Sequence, residues 1–186
     1  MLAMQFVEKT ARALIALHDK GFLKDPDFKE PVTRFIRNAS ETNHWNLTTH
    51  YQSQAAAALI REAAPKTPAQ FQSFCKTRLA HEHVVPDAFV YRTILAEPNI
   101  TLENLQATLQ RFGIRATILR EEDKEFLSRN GLRSGMPRCY SEPGHELYQD
   151  PLARYKVTGL FERLVKRKGE SWWPLPTTTQ TNDFLA

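Results

Sequence analysis

The chain has 186 residues, 41% of them apolar, which is enough to bury one sizeable core. Its net charge of +4 and pI near 9.1 permit contact with nucleic acid without demanding it. No stretch stays apolar for the roughly 20 residues a membrane span needs, and the two cysteines, Cys75 and Cys139, lack CxxC spacing, which excludes a disulfide scaffold and a cysteine zinc site.

The composition predicts free thiols, a cytoplasmic protein and no membrane partner. Glu8, Lys9 and Arg12 interrupt the apolar N-terminal stretch, so no signal segment is expected. There are no internal repeats and no Gly-rich phosphate loop.

In chain order, Leu2, Phe6, Ala13, Leu14 and Leu17 lie near one helical stripe, and Gly21 is placed to stop it. Asp25-Pro26-Asp27 reads as a turn, after which Val32, Phe35 and Ile36 predict a second short helix. Residues 38–49 are polar around Trp45 and read as a long loop or the start of a helix of weak propensity, with His44 and His50 as surface or capping residues. Residues 53–64 are strong helix formers closed by Pro65. Thr67-Pro68-Ala69-Gln70 combines a capping box with proline at the first helical position, and Phe71, Phe74, Cys75 and Leu79 form the apolar face that follows.

Beyond residue 86, Phe89, Val90, Ile94 and Leu95 repeat at helical spacing until Pro98. Thr101 caps a helix through Leu102, Leu105, Leu109 and Phe112 that ends at Gly113. Ile114 to Leu119 reads as a strand, and residues 120–130 as a helix whose acids Glu121, Glu122 and Asp123 suit its first turn. Gly135, Pro137, Pro143, Gly144 and Pro151, after Gly131, imply an irregular segment from Leu132 to Pro151 that carries Arg133, Arg138 and His145, with Arg154 just beyond it. Leu152 to Lys168 resumes a helical period, weakened at Gly159, and ends in a basic run that includes Lys166, Arg167 and Lys168. The expected fold is mainly α with a small two- or three-stranded β element. It forms a single compact α+β domain over 1–168, with a C-terminal tail over 169–186.

The densest chemistry lies in His81-Glu82-His83-Val84-Val85-Pro86. An imidazole near its unperturbed pKa of about 6.5 can take a proton or bind a metal, and an adjacent carboxylate can orient it. Val84 and Val85 favour an extended backbone and Pro86 disfavours a preceding helix, so both histidines should share one side with Glu82 opposite. Residues 83–85 are therefore read as a strand that pairs with 114–119. Arg133, Arg138 and Arg154 could clamp phosphates through paired donors, and Lys166, Arg167 and Lys168 could follow a phosphate backbone. Trp172 and Trp173 could stack on bases or pin the tail, which could also run along a protein partner.

Glu82-His83-Val84-Val85-Pro86 resembles the first motif of HNH, or ββα-metal, nucleases, where an acidic residue and histidine precede two apolar residues and a proline. Asn104-Leu105-Gln106 resembles the family segment that opens a helix. The resemblance implies His83 as general base and Glu82 as ligand of a divalent ion (Mg, Mn, Zn or Ni), with Asn104 at the site; His81 could join Glu82 on the ion, and His145 is the candidate should a third ligand come from outside the family's usual place. The family's closing His or Asn would fall near Gly113. Two readings follow. One is a metal-dependent nuclease, or a nuclease-like nucleic-acid-processing protein. The other is a non-catalytic accessory protein that binds protein or nucleic acid, with His-Glu-His as a structural junction.

Overall fold

The computed structural model describes residues 2–39, 49–63 and 67–166. Helix α1 (Leu2–Asp19) buries Val7, Ala11 and Leu14, four and three residues apart, and the chain turns at Gly21 with φ of 77°. A 3-10 turn at Pro26–Phe28, held by the Asp25 carboxylate accepting from the Asp27 N–H, leads into α2 (Lys29–Ala39). That helix buries Val32, Ile36 and Ala39, and leaves Phe35, expected inside, 42% exposed. With α5 (Asp87–Ala96) and α6 (Leu102–Phe112), these helices enclose the largest apolar cluster, to which Leu23, Tyr140, Leu147 and Ala153 contribute. Two caps form as expected. The Thr67 hydroxyl accepts from Gln70 N–H at the start of α4 (Pro68–Arg78), and Thr101 accepts from Asn104 N–H at the start of α6.

The described residues form an α+β fold with one small mixed sheet of four strands, in the spatial order Leu79–His83, Arg115–Leu119, Tyr51–Ser53 and Leu164–Lys166. Strand β2 (Leu79–His83) runs antiparallel to β3 (Arg115–Leu119), the pairing the sequence suggests. Strand β1 (Tyr51–Ser53) lies parallel to β3 and antiparallel to β4 (Leu164–Lys166). Helix α3 (Gln54–Ala63) follows β1 directly and joins α4 in a second cluster of Ala56, Ile60, Phe71, Cys75 and Leu79.

Three details differ from the sequence reading. Strand β2 begins at Leu79 and ends at His83, with Val84 and Val85 in the bend after it. Both valines are fully buried core residues, and the Val84 N–H still donates to Ile114 O at 2.8 Å just past the end of the β2–β3 ladder. Residues 152–168 do not form one helix: α8 (Ala153–Val157) stops where Gly159 takes φ of 73°, and after a 3-10 turn the chain pairs as β4. Lys166 therefore stands exposed on an edge strand, not at a helix C-terminus, while Arg167, Lys168 and the tail 169–186 lie outside the described residues, as do His44 and Trp45. Helix α7 (Arg120–Glu122) is a single turn continued by a π-helix over Asp123–Ser128. The Glu122 carboxylate caps its start by accepting from Leu119 N–H at 2.9 Å and from the Ser53 hydroxyl at 2.5 Å. No described helix is long and apolar enough to cross a membrane.

Candidate functional site

Side chains alternate along a strand, so the β2–β3 register decides what the motif residues meet. His81 pairs with Thr117 and His83 with Arg115, on one face of the sheet. Glu82 pairs with Ala116 and faces the other way, toward a cluster of Ile118, Leu127, Tyr155 and Leu160. The expected split of the two imidazoles from the carboxylate is present.

On the imidazole face, Gln52 of β1 pairs with Thr117, so Gln52, Thr117 and His81 form one row across three strands. The Thr117 hydroxyl lies 3.0 Å from both His81 Nδ1 and the Thr49 hydroxyl. Gln52 Nε2 and His81 Nε2 are buried and meet no partner among the described residues. Arg115 and His83 form the neighbouring row, and His50 enters beside them: its N–H donates to Arg115 O at 2.9 Å and its Nδ1 accepts from Arg115 N–H at 3.1 Å. Burial pushes the His81 pKa down to about 4, and the Arg115 and Arg120 charges add to the effect. Burial also takes His83 to about 4, against the pull of Asp87, and His50 is lowered by burial and then by Arg115. All three imidazoles are neutral at physiological pH.

His83 sits with Nδ1 3.4 Å from Asp87 Oδ1, and the Asp87 carboxylate accepts from Arg37 Nε at 2.9 Å. A hydrogen bond to the Arg37 backbone also supports the His83 ring. Helices α2 and α5 thus grip the end of β2 through one imidazole.

On the opposite face, Arg154 is fully buried and ties the end of β2 to the segment after the π-helix. Its Nε donates to Val84 O at 2.7 Å, Nη1 to Leu132 O and Arg133 O at 2.9 and 3.1 Å, and Nη2 to His83 O and, at 3.4 Å, to Glu82 Oε2. Burial raises the Glu82 pKa despite this ion pair. Asp123 Oδ1 and the Tyr155 hydroxyl are buried nearby without a partner among the described residues. Burial raises the Tyr155 pKa first, and the charges of Arg154, Glu82 and Asp123 act on it next.

This placement changes several expected roles. Arg154 is not a surface clamp for phosphate, because its guanidinium is committed to four carbonyls and a carboxylate. Arg133 and Arg138 do lie at the surface, Arg133 3.8 Å from Asp123 and Arg138 2.7 Å from Glu142. His145 is exposed, with Nδ1 accepting from Leu147 N–H, and Asn104 is exposed and donates to Asn99 O. The set Glu82, His81 and His145 does not fit a metal ion: the sheet separates Glu82 from His81, and Arg154 holds the carboxylate. Among the described residues no group of three or more His, Cys, Asp or Glu could hold one.

Sequence reasoning missed Gln52, Thr117, Arg115 and Asp87. Alternation in 115–119 put Arg115 and Thr117 on one face and was the available signal. Gln52 gave none, because a three-residue strand exists only through its neighbours. No family model matches the chain, and neither a curated protein nor a solved structure matches it.

Proposed function

We propose that the protein is a non-catalytic, cytoplasmic nucleic-acid-binding protein in which His81-Glu82-His83 is a structural junction. The observation that carries this reading is the commitment of Glu82 to the fully buried Arg154, which also holds the carbonyls of His83 and Val84. A carboxylate already paired with a buried cation is a poor ligand for a second one, and strand β2 is fixed for architecture. Net charge of +4 supports an anionic partner, with Arg133, Arg138 and Lys166 exposed to meet it.

The test is binding to single- and double-stranded DNA and RNA over a range of salt. On duplex DNA, replacing Arg133, Arg138, Lys166, Arg167 and Lys168 with alanine should flatten the plot of log affinity against log salt, by about 0.9 in slope for each side chain that meets a phosphate. Absence of binding to any of these nucleic acids at low salt contradicts the partner assignment.

One observation favours a nuclease instead. His83 beside Asp87 has the form of an imidazole oriented by a carboxylate, which suits a general base. In that reading His83→Ala abolishes metal-dependent cleavage.

A further inference from the structure

Buried polar atoms without a partner call for water, an ion or a ligand. Among the described residues two such atoms sit in one row on one sheet face, Gln52 Nε2 and His81 Nε2, with Thr117 between them. Gln52 is 4% exposed and Thr117 fully buried. The Thr117 hydroxyl lies between Thr49 and His81 Nδ1, which fixes the imidazole with Nε2 as its remaining atom. The Gln52 Nε2 atom is a donor in every state, and the buried Arg115 of the next row adds positive charge.

A water can pair with these atoms in the unliganded chain; among ligands the chemistry selects. A metal cation finds an amide NH2 that cannot ligate and a guanidinium that repels it. An apolar ligand leaves the N–H groups unpaired at a cost of about 1 to 3 kcal/mol each. An oxyanion accepts from Gln52 Nε2 and, when the Thr117 hydroxyl donates to His81 Nδ1, from the N–H then carried by His81 Nε2. The outer strands of a three-strand row stand about 9 to 10 Å apart with Thr117 between them, so an oxyanion seated over Thr117 has Gln52 on one side and His81 on the other.

We propose that the Gln52, Thr117 and His81 row is the floor of an oxyanion site that takes a phosphate group. The source of the phosphate rests on the nucleic-acid reading above, whereas the site itself does not.

The probe is inorganic phosphate, titrated into the 15N-labelled full chain while the Gln52 side-chain amide is followed by NMR, with chloride at matched ionic strength as control. A saturable shift with phosphate and none with chloride is expected. Gln52→Met should weaken phosphate binding about tenfold, the effect of losing one hydrogen bond to a charged acceptor. A short oligonucleotide should move the same resonance, and its neutral methylphosphonate counterpart should not. A response to inorganic phosphate without one to the oligonucleotide keeps the site and removes nucleic acid as the source. An amide unmoved by phosphate overturns the site, whether or not the variant folds, and so does an affinity unchanged in a folded Gln52→Met protein.

Discussion

Glu82 Oε2 and Arg154 Nη2 meet at 3.4 Å across 72 residues of sequence, and the pair leaves the carboxyl with a raised pKa, because desolvation outweighs the attraction. Such a pair contributes little net stability while intact and costs much when broken. Arg154→Met should lower unfolding free energy by about 3 to 5 kcal/mol, since it strands Glu82 and the carbonyls of His83, Val84, Leu132 and Arg133. Adding Glu82→Gln should recover part of that loss. Urea melts of the single and double variants measure it, and full additivity of the two changes would contradict a coupled pair.

How much of this was legible beforehand can be argued from the same residues. The β2–β3 pairing and the opposed sides of His81 and Glu82 follow from local patterning, as do the Thr67 and Thr101 caps. Arg154 was legible only as a cation. Its burial depends on carbonyls from 83–84 and 132–133 converging on one point, which no local pattern encodes. Strands β1 and β4 were hidden for a similar reason, since each is three residues long and forms by pairing.

The imidazoles give the fold an acid limit. His81 and His83 stand at about 4 in the folded chain against an ordinary 6.5. Between those values the unfolded chain binds the extra protons, so stability falls as pH drops through the window, by on the order of 3 kcal/mol for each imidazole. Glu82, raised by burial, works in the opposite sense above its ordinary value of 4.5. Melting temperature should decline from pH 6.5 to pH 4, and His81→Gln should flatten the decline. A flat profile in the wild type would contradict neutral buried imidazoles.

The two thiols should separate kinetically. Both are free, with Cys75 buried and its pKa pushed up to about 12 by burial, and Cys139 half-buried. The thiolate is the reactive form, so a thiol reagent should label Cys139 first in the native protein and both residues after denaturation without reductant. Labelling of Cys75 as fast as Cys139 in the native state would contradict its place in the α3–α4 cluster.

Asn104 should behave as a surface residue with a local structural role. Its side chain donates to Asn99 O at the start of α6, so Asn104→Ala should cost no more than about 1 kcal/mol and leave nucleic-acid binding unchanged. A large loss of binding at this position would reopen the nuclease-like reading.

The most direct test of the structural junction is to measure melting and cleavage on the wild type and on His83→Ala. The junction predicts no cleavage of DNA or RNA with magnesium, manganese, zinc or nickel. It also predicts a loss of about 1 to 3 kcal/mol in the variant, as Asp87 and the Arg37 backbone lose their shared partner. Metal-dependent cleavage by the wild type that drops about 100-fold or more in His83→Ala, with melting unchanged, would contradict it and assign the imidazole to catalysis.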